Sequence, residues 1–190
     1  MNCPEPTEEL VRAACAKFDK ENRITEEALN LLFGQYPSNN RESHVLLKVV
    51  AVNSLYWCNI YAVHALASHI HGSDIDSALA IGSPDAVDKI ERFPVSEEKD
   101  RGCFVFATKY CSWHKPESYP IWDGNVERYF ECLYKKTSFE EFNFGGHWKY
   151  RRFFEAMTFF RKHYGLGKFS FKDIDKFLWS EGEEPNKRAG

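Results

Sequence analysis

Apolar residues recur three and four positions apart along almost the whole chain, and no stretch shows sustained apolar and polar alternation between hairpin turns. Helices with apolar stripes must bury them against one another, so the pattern predicts an all-α fold. The spacing places helices over Glu8 to Glu21, Thr25 to Gln35, Arg41 to Leu55, Asn59 to His71, Ile75 to Ile81 and Asp85 to Arg92. The second half continues with Asp100 to His114, Asn125 to Lys136, Trp148 to Tyr164 and Phe171 to Trp179. Pro37, Gly72, Pro84, Pro94, Pro116, Pro120 and Gly165 fall between these segments, where helix breakers belong. Ser83, Asp123 and Ser170 each have the short oxygen-bearing side chain that accepts a hydrogen bond from a free first-turn amide. No linker separates two cores, so the expectation is one compact multi-helix domain over residues 1–190, with Glu181 to Gly190 a frayed tail.

A chain of 190 residues with 43% hydrophobic content buries enough surface for a core without a structural metal. The longest apolar run, Val45 to Ala51, contains Lys48 and is far shorter than the roughly 20 residues a bilayer crossing needs. The acidic, proline-bearing start from Met1 to Leu10 is unlike a secretory signal, and this predicts a cytoplasmic protein. Six widely spaced cysteines, Cys3, Cys15, Cys58, Cys103, Cys111 and Cys132, are accordingly expected to be reduced. Neither His64, His69 and His71 nor Cys103, Cys111 and His114 have the spacing of a zinc site. No phosphate-cradling glycine motif is present, so the sequence implies no metal and no cofactor. Net charge is −3, yet the first hundred residues carry −7 and the remainder +4. A basic face built by the second half, with Lys149, Arg151 and Arg152 on an aromatic-striped helix, would suit a phosphate backbone.

The most unusual window is Cys103 to Val126, CFVFATKYCSWHKPESYPIWDGNV. Its first part has apolar or small residues on all sides, the mark of a buried helix, with Lys109 in the middle and Val105 and Trp113 one turn away on either side. Burial disfavours the charged form of an amine, and a neutral amine attacks electrophilic carbon; the plainer alternative is a lysine whose stem runs along the core to water. Asp123 follows a proline-bearing excursion and opens the next helix, where it is a cap or a carboxylate able to stabilise a nearby cation.

The element Pro120-Ile121-Trp122-Asp123-Gly124-Asn125-Val126 resembles the P-x-D-x-x-V element of helix-hairpin-helix DNA glycosylases. Phe106-Ala107-Thr108-Lys109-Tyr110 is similar to the lysine helix of 8-oxoguanine DNA glycosylases, and Asn53 to Ile70 resembles the early helix pair of that superfamily. The resemblance implies a glycosylase fold and DNA carrying a damaged or modified base as partner. It implies Lys109 as Schiff-base nucleophile and Asp123 as its catalytic carboxylate. Around the extruded nucleotide it implies Trp113 as the wall of the base pocket, Asn59 as a DNA contact, and Phe177 or Trp179 as a C-terminal aromatic lining. Arg101 and Gly102 are the expected backbone contacts from the hairpin position, although Ser96 to Gly102 keeps only Gly102 of the family's L-P-G-x-G and places three acidic residues there. The alternative is a catalytically inactive helical module of the same ancestry that binds nucleic acid or a protein partner.

Overall fold

The computed structural model describes residues 3–137 and 150–183. Among the described residues the elements run α1 (Glu8–Glu21), α2 (Arg23–Gln35), α3 (Glu42–Leu55), α4 (Val63–Gly72), α5 (Asp76–Ile81), α6 (Asp85–Ile90), β1 (Arg92–Ser96), β2 (Lys99–Gly102), α7 (Phe104–His114), α8 (Gly124–Thr137), α9 (Tyr150–His163) and α10 (Phe171–Gly182). The chain forms two compact units: Arg23–Tyr119, and Met1–Asn22 together with Pro120–Gly190.

The Arg23–Tyr119 unit packs α3, α4, α6 and α7 around Val45, Val49, Val52, Leu66, Ile70, Ile90 and Phe106, all of them buried. It is predominantly helical, but the purely helical expectation needs correction at one place. Arg92 pairs with Gly102, Phe93 with Arg101 and Pro94 with Asp100 in an antiparallel two-stranded sheet. Only Phe93 on these strands is fully buried, and the other positions are exposed or half-buried, so the alternation is too short to read in sequence. The pairing takes Asp100 to Gly102 out of the expected helix, and α7 starts at Phe104 after Cys103 N donates to Glu91 O.

In the other unit, Ser170 caps α10 through a reciprocal capping box with Asp173, and Thr7 Oγ1 accepts from Leu10 N at the start of α1. The close approach of α8 and α10 depends on Gly182, where a Cβ would collide with the Asn125 backbone carbonyl. The N-terminal segment lies along one face of α8: Tyr129 donates to Pro4 O, Lys136 donates to Cys3 O, and Cys132 between them is joined to Cys3 by a disulfide. The expectation of six reduced cysteines is thereby corrected. A pairing across 129 residues is set by the face of α8 that the N-terminus follows, which spacing does not encode. Cys15, Cys58, Cys103 and Cys111 are outside the disulfide.

No helix among the described residues is long and apolar enough to cross a membrane.

Candidate functional site

α7 carries the first candidate. Every residue from Phe106 to Trp113 is buried, as a helix apolar on all sides must be. Lys109 is 7% exposed, and its Nζ lies 4.7 Å from the centroid of the Tyr56 ring, a distance at which an ammonium is attracted to the ring quadrupole. Trp113, one turn on, donates from Nε1 to Tyr56 Oη at 3.1 Å. Tyr56 therefore ties Lys109 and Trp113 to the end of α3, where it is the C-cap residue.

The loop that follows Tyr56 is built with backbone strain. Trp57 has φ 51° and Asn59 φ 56°, a region that side chains with a Cβ occupy at a cost of about 1 to 3 kcal/mol. Two clamps hold it. Asn53 donates to Ile60 O and accepts from Ile60 N, both at 2.9 Å, and Arg101 donates to Asn59 O at 2.6 Å. The result exposes Trp57 to 83% and Tyr61 to 85%, with the Arg101 guanidinium 5.6 Å from the Tyr61 ring centroid. The expected helix from Asn59 consequently begins only at Val63. Asn59 and Arg101 meet here, and Gly102 ends β2 in an exposed position beside them in sequence.

A second lysine in the same unit is enclosed completely. Lys48 Nζ faces Tyr36 O at 3.1 Å, Ser38 O at 3.0 Å, Asn39 Oδ1 at 2.8 Å and His114 Nε2 at 3.1 Å. An ammonium only donates, so His114 Nε2 accepts and the imidazole proton is on Nδ1. Asn39 in turn donates to both oxygens of Asp76 and accepts from Tyr110 Oη. Its carbonyl meets His71 Nδ1 at 2.9 Å. Desolvation lowers Lys48 to about 8, with Asp76 working in the opposite direction. Desolvation, reinforced by the Lys48 charge, lowers His114 to about 3. Burial also holds the Tyr110 hydroxyl protonated by raising it well above its ordinary value. Sequence reading missed this network. Its one signal is a lysine inside the apolar run Val45 to Ala51.

The remaining candidates lie in the other unit. Asp123 Oδ1 accepts from Asn125 N at 3.0 Å and Val126 N at 3.1 Å, so it caps the first turn of α8 as its position predicts. Phe177 is fully buried, edge-on to Tyr129 at 5.4 Å, and half-buried Trp179 sits edge-on to Phe18 at 5.6 Å. Arg151 and Arg152 are exposed in the first turn of α9, and Lys149 lies outside the described residues. Among the described residues no three His, Cys, Asp or Glu side chains are grouped to hold a metal ion.

Comparison with known proteins places this geometry in a family. A family model, HI_0787_N, described as an N-terminal domain, matches residues 10–118. The chain belongs to that family. The matched stretch contains Lys48, Lys109, the strained loop and the strand pair, and it ends before Asp123. A relative from Haemophilus influenzae, described as an uncharacterized protein, is 31% identical over 165 residues, which cover 83% of this chain and 79% of the relative. No solved structure matches the chain.

Proposed function

We propose that this member of the HI_0787_N family is a DNA glycosylase that removes an oxidised or otherwise modified purine, with Lys109 as the amine nucleophile. The observation that carries the reading is Lys109 itself: a lysine 7% exposed on an otherwise apolar helix, held against Tyr56 with Trp113 on the same tyrosine. A purine must leave the base stack to be attacked, and an indole beside the amine is a surface for holding it. In the step itself the lone pair of the Lys109 nitrogen adds to C1′ of the deoxyribose, the bond from C1′ to the base breaks, and the base leaves with its electron pair and takes up a proton. The C1′–O4′ bond then opens, O4′ taking the proton that the nitrogen gives up, and the resulting iminium is either hydrolysed, releasing the amine, or loses a proton from C2′ and expels the 3′ phosphate. A part for Asp123 in this step rests on the resemblance of the Pro120-Ile121-Trp122-Asp123 element alone; in its own unit Asp123 caps α8. The fold of the helix-hairpin-helix glycosylases and a cytoplasmic place of work belong to the same proposal.

A second reading, a non-catalytic helical module that binds nucleic acid or protein, is favoured by one feature. β1 and β2 stand where the glycine hairpin of the glycosylases would grip a phosphate, and Glu97, Glu98 and Asp100 are exposed there. Borohydride trapping on duplex DNA with an abasic site or 8-oxoguanine separates the two. The enzyme gives a covalent adduct that Lys109→Gln abolishes. Duplex binding without any adduct selects the module.

A further inference from the structure

We infer that the loop of residues 56–62 is a stacking platform for unpaired nucleobases, with Trp57 and Tyr61 as its faces and single-stranded DNA as its ligand. The inference deepens the nucleic-acid reading above and rests on it. Large aromatic side chains dominate protein cores, and leaving two on one loop at 83% and 85% exposure forgoes the burial they ordinarily supply. The exposure is built into the loop, because positive φ at Trp57 and Asn59 is held by the two Asn53 bonds and by Arg101. Strain that the surrounding structure overdetermines marks binding elements, since a floppy loop would relax out of it.

The chemistry of the platform fits bases on a phosphate backbone. Every base offers a π face, so aromatic stacking takes any sequence, and Arg101 adds a cation beside Tyr61 while using one of its five N–H groups on Asn59 O. A protein partner fits less well. Stable protein interfaces bury about 800 Å² on each side, whereas beside exposed Leu55 these rings are flanked by exposed polar Ser54, Asn59 and His64. Paired bases are already stacked on one another, so the platform favours strands whose bases are free.

The test is a fluorescence titration of the full chain with an oligothymidylate of about 20 nucleotides, long enough to cover a typical single-strand site. Wild type is expected to show saturable quenching of tryptophan emission. Trp57→Ala and Tyr61→Ala each weaken binding about 5- to 100-fold, the range for loss of one stacked base. Trp57→Phe keeps the affinity, read by anisotropy of labelled oligonucleotide, and loses most of the quench. Both substituted side chains are exposed, so melting temperatures stay at the wild-type value and folding does not confound the result. Alanine variants that bind like wild type, or a wild type that does not bind the oligonucleotide, overturn the platform. Trapping by Lys109 in a protein whose platform variants bind normally leaves the enzyme standing and removes this inference; stacking without trapping does the reverse.

Discussion

Two lysines sit in the interior of the same helical unit, and their surroundings differ in kind. Lys48 is 0% exposed and ringed by four acceptors between 2.8 and 3.1 Å, two of them backbone carbonyls. Lys109 is 7% exposed and lies against an aromatic face at the edge of a strained loop. A cation matched by fixed acceptors organises the chain around it: Lys48 gathers the turn after α2, the end of α7 and, through Asn39, Asp76 at the start of α5. Such a lysine has no approach for a substrate. Lys109, over the Tyr56 ring, is the amine to which the proposed chemistry is assigned. Burial alone therefore does not identify a functional lysine; the nature of the enclosing atoms does.

The comparison breaks first at stability. Lys48→Met removes the donor to His114 Nε2, Asn39 Oδ1 and two carbonyls inside the unit, and is expected to cost about 2 to 4 kcal/mol in urea unfolding. A cost below about 0.5 kcal/mol would place Lys48 outside the organising role.

The pH dependence sharpens the same point. The His114 folded value near 3 lies below its ordinary 6.5, so between those values the unfolded chain takes up a proton that the folded chain refuses. Its contribution is complete above pH 6.5 and is lost as pH falls toward 3, on the order of 1 to 3 kcal/mol. His114→Gln should flatten that acid slope, measured as unfolding midpoints in steps across the window. Lys48, lowered from 10.5 to about 8, works the same way at higher pH: the gap in stability between wild type and Lys48→Met widens as pH rises through that range.

Tyr110→Phe removes the hydroxyl that donates to Asn39 Oδ1 and is expected to cost about 1 kcal/mol. Lys109→Gln, by contrast, should change stability by less than about 1 kcal/mol while removing the covalent chemistry, as seen by running thermal melts beside the trapping assay. A loss as large as that of Lys48→Met would make the two lysines alike.

Much of this division is legible in the sequence where a signal is local. α1 runs Glu8–Glu21 as the apolar spacing predicts, the all-round apolar pattern of α7 foretells the burial of that helix, and Asp123 caps α8. The strands escaped because a single residue, Phe93, carries their inward face. The loop after α3 escaped because Asn59, Ile60 and Val63 carry on a helical spacing, while the positive φ values arise from clamps contributed by Asn53 and Arg101. The Lys48 network escaped for the same reason on a larger scale. Its partners come from Tyr36, Ser38, Asn39, Asp76, Tyr110 and His114, and no local pattern joins them.

The central claim is that, of the two interior lysines, Lys109 does the chemistry. Mass spectrometry of the proteolysed, borohydride-reduced adduct on abasic-site DNA tests it most directly. The account predicts the sugar remnant on the peptide containing Lys109 and an unmodified Lys48. Modification at Lys48 or at another lysine, or no modified peptide at all, would contradict it.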